Sequence, residues 1–351
     1  MTDLVESVRT ALATVQDPDL HKDLVALNMI RDLTVDGGIA KFRLVLTTGA
    51  CPVKQQLEDQ CRAAALSVAG ITRAEIEVTA EVPRGPRGEE ILPGVGQIIG
   101  VGSGKGGVGK STVTVNLACA LAATGSRVGI LDADIYGPSI PVMMGINRQP
   151  QVYNGRMLPL EAHGIKLISM GFLLEERQPV IWRGPMIVGA LKQFITDVDW
   201  GELDYLLVDL PPGTGDIQMS LAQQTRMAGA VVVSTPQAVA LADVRRSVVM
   251  FEKVNVPRFG IVENMSEFIC PQCGHVEPIF GHGGAEAEAT LLCLPFLGRI
   301  PLEPSVRLAG DAGTPVVVSH PASASALAFR QLAERVAQRA SILAFNSALK
   351  G

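Results

Sequence analysis

The sequence predicts an α/β protein, with a mainly parallel sheet covered by helices on both faces, preceded by a small α+β domain. Three observations carry this. From Gln97 onward, near-continuous apolar runs alternate with helix-length segments, as in parallel sheets buried on both sides. Residues 1–82 hold a separate helix, hairpin, helix and strand pattern. Between them, Pro83-Arg84-Gly85-Pro86-Arg87-Gly88-Glu89-Glu90 combines proline, glycine and charge without an apolar residue to pack, so residues 83–96 read as a linker.

In chain order, Leu4, Val8, Leu12 and Val15 recur at helical spacing over residues 3–15. Residues 29–35 and 39–46 alternate like strands around the hairpin signal Asp36-Gly37-Gly38. A helix opening at Pro52 and running to Val68 places Leu57, Cys61, Ala64 and Val68 on one face, and residues 73–82 close the unit as a strand. In the second domain, 97–351, strands are expected at 98–102, 127–132, 203–209, 230–235, 258–263 and 296–300. Helices fit at 110–123, 216–227, 239–254 and from Ala324 to the C-terminus. That last helix carries the apolar set Leu327, Phe329, Leu332, Val336, Leu343 and Phe345, which reads as a face docked on its own sheet.

Composition narrows the function classes. Hydrophobic residues at 47% and charged residues at 19% supply a core and exclude global disorder. A net charge of −5 argues against nucleic acid as a partner. No apolar run reaches the roughly 18 residues of a membrane span, and residues 1–14 carry acids instead of a basic-then-apolar leader. Six cysteines, four of them single in apolar surroundings, fit a reducing, cytoplasmic setting and not a disulfide framework.

The segment Gly104-Lys105-Gly106-Gly107-Val108-Gly109-Lys110-Ser111 matches G-x-x-x-x-G-K-[ST] between a strand and a helix, the context that makes it a phosphate-binding P-loop. Its glycines turn backbone N–H groups onto phosphate oxygens, and the helix N-terminus at Lys110, Ser111 and Thr112 adds the positive end of its dipole. Lys110 is expected on the β- and γ-phosphates and Ser111 on Mg²⁺. Asp209 ends an apolar strand and precedes Leu210-Pro211-Pro212-Gly213-Thr214-Gly215-Asp216, a position suited to holding Mg²⁺. Asp132 and Asp134 end another strand; Asp132 is placed nearer the metal and Asp134 is the candidate for orienting the attacking water. The bland alternative for each is a cap or turn acid. No Asn-Lys-x-Asp segment is present, and Asn264 stands where it can meet an adenine edge, so ATP is favoured over GTP.

Cys270 and Cys273 form a C-x-x-C pair among turn-forming residues. Two thiolates are too few for a closed Cys₄ site, but a symmetric dimer joining two such loops would supply four. On chemistry alone the metal stays open, because Cys-Pro-x-Cys-Gly is also half of a zinc ribbon and Zn²⁺ suits it nearly as well. Cys51, ahead of Pro52 at a helix start, is either a transient ligand or a capping-loop cysteine. Cys61, Cys119 and Cys293 lie on apolar faces or runs and are expected in the core. His275 and His282 read as surface loop residues.

Lys105 is the additional lysine that marks the deviant Walker A ATPases. That class includes septum-positioning and plasmid-partition ATPases, the arsenite-pump ATPase and the nitrogenase iron protein. Within it the chain closely resembles the Mrp/ApbC iron–sulfur cluster carriers. The likeness is carried by residues 103–112, Leu131-Asp132-Ala133-Asp134-Ile135-Tyr136-Gly137-Pro138-Ser139, residues 209–216, Val262-Glu263-Asn264-Met265-Ser266 and Cys270-Pro271-Gln272-Cys273-Gly274. Residues 1–82 look like the small iron–sulfur assembly domain that often precedes such ATPases, through Asp17-Pro18-Asp19-Leu20 and Thr47-Thr48-Gly49-Ala50-Cys51-Pro52. The resemblance implies a P-loop NTPase fold and slow ATP hydrolysis coupled to cluster transfer. It implies a homodimer in which Lys105 reaches the partner subunit's nucleotide and acts in catalysis with Lys110 and Asp134. It also implies a [4Fe–4S] cluster at the dimer interface and apo iron–sulfur proteins as recipients. Two other readings fit the residues: a membrane-associated positioning ATPase, and a nucleotide-gated scaffold or electron carrier with little hydrolysis.

Overall fold

The computed structural model describes residues 2–85, 92, 94–135, 137–173 and 184–348. Half of the expected linker (86–91 and 93), Tyr136, residues 174–183 and the last three residues of the chain lie outside these. The chain divides into two compact units, Met1–Pro83 and Arg84–Gly351.

In the first unit, the antiparallel hairpin of Ile30–Asp36 and Ile39–Leu46 is extended by Arg73–Ala80, which runs parallel to the second strand along its whole length. Parallel pairing needs a crossover, and the helix Lys54–Leu66 provides it. That helix and Thr2–Leu12 bury Val8, Leu12, Leu57 and Cys61 against Leu24, Phe42 and Leu44. The crossover helix starts at Lys54 and not at Pro52, because Pro52 is taken up in a turn and Val53 occupies the cap. Cys51 therefore sits in the preceding loop, half-buried and packed on the core's edge.

Among the described residues the second unit is built on a nine-stranded sheet. Seven strands are parallel, in the spatial order Ile165–Ser169, Val128–Asp132, Leu203–Asp209, Val95–Ser103, Gly229–Ser234, Arg258–Ile269 and Phe296–Leu302. Short antiparallel strands flank them: Leu160–Ala162 at one edge, and Val276–Glu277 on the outer end of Arg258–Ile269. The first strand begins at Val95, and Gly85 already donates to the Gly96 carbonyl (2.8 Å), so the expected linker is partly bound to this unit.

Helices cover both faces. Lys110–Ala122 packs with the long helix Ala324–Ala348, which buries Phe329, Leu332 and Val336. Those three members of the expected apolar stripe are thus used against their own unit, whereas Leu343 and Phe345 are half-buried and Leu327, expected on the docked face, is exposed near the start of the helix. On the other face, Gly184–Thr196, Asp216–Thr225, Ala238–Lys253 and Gly284–Leu291 enclose a core that includes Leu191, Phe194, Leu221, Val244 and Phe251. Ile165–Ser169, Gly184–Thr196 and Gly284–Leu291 are elements that the apolar pattern alone does not announce. Among the described residues no helix is long and apolar enough to cross a membrane.

A further expectation is overturned. Cys293 is exposed, not core. The run Leu291-Leu292-Cys293-Leu294 ends the helix Gly284–Leu291, with Cys293 in the left-handed region (φ 52°) and Leu294 N–H returning to the Ala289 carbonyl at 2.9 Å. The left-handed turn takes Cys293 off the helix's buried face, and its side chain is left at the surface despite the apolar neighbours.

Candidate nucleotide site and cysteine turn

The P-loop leaves the C-terminal end of the central strand Val95–Ser103, beside the ends of Leu203–Asp209 and Val128–Asp132. The strand order skips here, which opens the crevice where ligands of such sheets bind. Gly107 (φ 82°) and Gly109 (φ 79°) take left-handed conformations, and Gly109 delivers the chain into the helix at Lys110. Ser103 Oγ donates to the Lys105 carbonyl (2.9 Å), and Gly213 N–H donates to the Ser103 carbonyl (3.0 Å), fastening the loop that follows Asp209 to the base of the P-loop. Gln218 ties that loop further by donating from Nε2 to the Pro211 carbonyl.

The expected catalytic groups converge. Asp209 is fully buried, and its Oδ2 accepts from Lys110 Nζ and from Ser111 Oγ, both at 2.6 Å. Its Oδ1 accepts from Thr114 Oγ1 at 2.6 Å. Thr114 is absent from the sequence-based set, although it lies one helical turn beyond Lys110 and so on the same face. Asp132 pairs across the sheet with Asp209 and accepts from Ser169 Oγ (2.8 Å) and from the Asp134 N–H (3.2 Å). Burial, and then the Asp209 charge beside it, push the Asp132 carboxyl up to about 8. Asp134 Oδ2 stands 3.7 Å from Lys110 Nζ. Two buried carboxylates and a serine hydroxyl form an all-oxygen set that suits Mg²⁺, whose charge would offset their mutual repulsion. Ser169 carries no sequence signal of its own, since it closes a strand of only five residues, Ile165–Ser169.

Lys105 is half-buried, and among the described residues its ammonium has no acceptor or carboxylate partner. Asn264, expected at the adenine, is buried under the P-loop: its Nδ2 donates to the Val108 carbonyl at 2.8 Å. A Cβ on Gly109 would fall 2.2 Å from that nitrogen, so this approach requires glycine.

The cysteine pair lies at the far end of the strand that carries Asn264. Past Ile269 the chain turns through Cys270-Pro271-Gln272-Cys273-Gly274 and returns as Val276–Glu277. Cys270 N–H bonds the His275 carbonyl and Gly274 N–H the Cys270 carbonyl, each at 2.9 Å, with Gly274 at φ 70°. The backbone N–H groups of Cys273 and Gln272, with the Cys273 side chain, bond the Cys270 sulfur and hold its thiol below the usual range. Cys273 is exposed and Cys270 half-buried. His275 and His282 are exposed. Among the described residues no group of three or more His, Cys, Asp or Glu side chains is gathered as a metal would need, here or elsewhere.

Comparison with known proteins agrees with this layout. Residues 94–337 match the family model described as NUBPL iron-transfer P-loop NTPase, and residues 6–78 match that of an iron–sulfur cluster assembly protein. An iron–sulfur cluster carrier protein of Synechocystis sp. is 51% identical over 97% of this chain and 98% of its own length. The carrier protein of Escherichia coli is 46% identical over 94% of this chain and 90% of its own. Among solved structures, a nucleotide-binding protein from Archaeoglobus fulgidus in complex with ADP aligns with TM-score 0.58 and 42% identity, over 64% of this chain and 89% of that one. The P-loop with its converging acids, the two matched regions and near-full-length identity together place this chain in the iron–sulfur cluster carrier family of P-loop NTPases.

Proposed function

We infer that the chain is an ATP-hydrolysing carrier that works as a homodimer and holds a [4Fe–4S] cluster between the Cys270–Cys273 turns of its two copies. The observation that carries this reading is the turn itself. It presents two thiols, that of Cys270 held by backbone N–H groups, in a chain whose described residues offer no third ligand beside them. A two-fold axis would double the pair to the four thiolates that a cubane takes. Zn²⁺ is the competing occupant. Delivery to apo iron–sulfur proteins is the role that goes with the carrier family.

For hydrolysis, the P-loop amides and Lys110 would bind the β- and γ-phosphates. Ser111, Asp209 and Asp132 would hold Mg²⁺, which supplies charge neutralisation at the phosphates. Asp134 would orient the water that attacks the γ-phosphorus while the bond to the β–γ bridging oxygen breaks, leaving ADP and inorganic phosphate. Lys105 would complete the charge at the partner subunit's nucleotide. Adenine selection by Asn264 would fall to its Oδ1, since Nδ2 is committed to Val108.

Anaerobic reconstitution followed by iron, sulfide and zinc analysis tests the cluster assignment. About four irons per dimer are expected, the content of one cubane. Cys270→Ser and Cys273→Ser should each lose the cluster, while Cys51→Ser, Cys61→Ser and Cys293→Ser keep it. Four irons per monomer, or a full cluster in the double variant of Cys270 and Cys273, would overturn the shared-site reading.

A further inference from the structure

The strand Arg258–Ile269 touches both functional regions. Near its middle, adjacent residues face opposite sides of the sheet, as strand geometry requires. The buried Glu263 carboxylate accepts from Gly283 N–H (3.3 Å) and Ala285 N–H (2.8 Å), which anchors the chain where it returns from the cysteine turn. Asn264 reaches the other way and bonds the Val108 carbonyl inside the P-loop. Directly after it, Met265 adopts the left-handed region (φ 55°), and the pairing with Phe296–Leu302 breaks. Asn264 pairs with Ile300, yet the next pair is Phe268 with Leu302, and across the bulge Ser266 Oγ donates to the Ile300 carbonyl at 3.2 Å. Cys270 follows six residues after Asn264, at most about 20 Å along an extended strand. A methionine in the left-handed region is uncommon and stores strain. The P-loop contact, the strained residue and the metal-binding turn therefore lie in one uninterrupted stretch of backbone.

We propose that Asn264 is a positioning residue that relays the state of the P-loop to the cysteine turn. A P-loop that closes on a triphosphate shifts the Val108 carbonyl, Asn264 follows it, and the Met265 bulge converts the shift into a reorientation of the Cys270–Cys273 hairpin. Glu263 keeps the base of the hairpin fixed, so the displacement appears at its tip. The proposal rests on the carrier reading for its purpose, but its test needs no cluster.

The reduced apo protein is alkylated with iodoacetamide in the presence of saturating ADP·Mg²⁺ or of a non-hydrolysable ATP analogue with Mg²⁺. Labelling at each cysteine is followed by peptide mass spectrometry, and the dimer fraction of the same samples by sedimentation. In the wild type, the rates at Cys270 and Cys273 should differ about fivefold or more between the two nucleotides, the lower end of ordinary coupling between sites. In Asn264→Ala, with nucleotide raised to saturation and bound nucleotide measured on the same samples, that difference should collapse. Met265→Gly keeps the Asn264 amide and replaces the strained link by a flexible one; it should lose the difference too while its dimer fraction still responds to nucleotide, which covers the case in which Asn264→Ala binds no nucleotide. A wild type without any difference, a nucleotide-bound Asn264→Ala protein that keeps it, or a Met265→Gly protein that keeps it or loses it only together with dimerisation would overturn the relay. A wild type that shows the difference but takes up no iron would overturn the carrier reading and leave the relay standing.

Discussion

Cysteine side chains of one intrinsic chemistry fall here into distinct environments, and reactivity should follow environment. Burial pushes the thiols of Cys61 and Cys119 up to about 12, with the Glu58 charge adding to the effect at Cys61. At pH 8 a thiol with that pKa is thiolate in only about one molecule in ten thousand, and the thiolate is the nucleophile. Cys270 lies on the other side of its ordinary value, and Cys273 and Cys293 are exposed. Brief alkylation of the folded apo protein at pH 8 should therefore label Cys270, Cys273 and Cys293 and spare Cys61 and Cys119. Raising the pH to 9 should leave those two unlabelled, because both values still lie far above it. Peptide-resolved mass spectrometry reads this directly, with the denatured chain as the full-labelling control. Labelling of Cys119 at the rate of Cys273 would show that the P-loop helix does not stay packed.

At the scale of elements, the boundary between P-loop and helix is set by Gly109. Its left-handed φ of 79° ends the loop, and the missing Cβ admits the Asn264 amide. Gly109→Ala meets both obstacles. The backbone penalty alone is about 1–2 kcal/mol for a residue with a Cβ, and displacement of Asn264 comes on top of it. The variant should melt several degrees lower than the wild type and lose the stabilisation that ATP·Mg²⁺ confers, as measured by differential scanning fluorimetry in both conditions. An unchanged nucleotide-dependent shift would mean that the loop tolerates rearrangement at this turn. The same logic accounts for Cys293. Its run of apolar neighbours resembles a strand until the helix Gly284–Leu291 and its left-handed terminator are seen together.

At the scale of the whole molecule, Lys105 distinguishes a monomeric NTPase from the proposed dimer. Within the chain its ammonium has no partner among the described residues, whereas Lys110 is bound to Asp209. If Lys105 acts on the partner subunit's nucleotide, a mixture of Lys105→Ala and Asp134→Ala subunits should regain part of the ATPase activity that each variant lacks alone. In each mixed dimer one site keeps both its own Asp134 and a lysine from across the interface. Steady-state phosphate release on mixtures of varying ratio should peak near equal proportions. Activity that never exceeds the sum of the separate variants would place the action of Lys105 within its own subunit.

Much of this was legible from the sequence, for a physical reason. Phosphate binding needs glycines, a lysine and a hydroxyl at fixed spacing on a strand–helix turn, so Gly104–Ser111 could be read locally, as could Asp132 and Asp209 at the ends of apolar strands. A C-x-x-C turn is equally local. Contacts between residues remote in the chain were not legible. Thr114 and Ser169 complete the carboxylate network only because the helix Lys110–Ala122 and the strand Ile165–Ser169 pack beside Asp209 and Asp132. Asn264 lies 156 residues from Val108, and sheet order alone sets its amide against the P-loop carbonyl. Residue types and their local spacing thus determined which chemistry this chain carries. The tertiary structure decided which groups share a charge or a strand, because burial and long-range pairing arise only when distant segments meet.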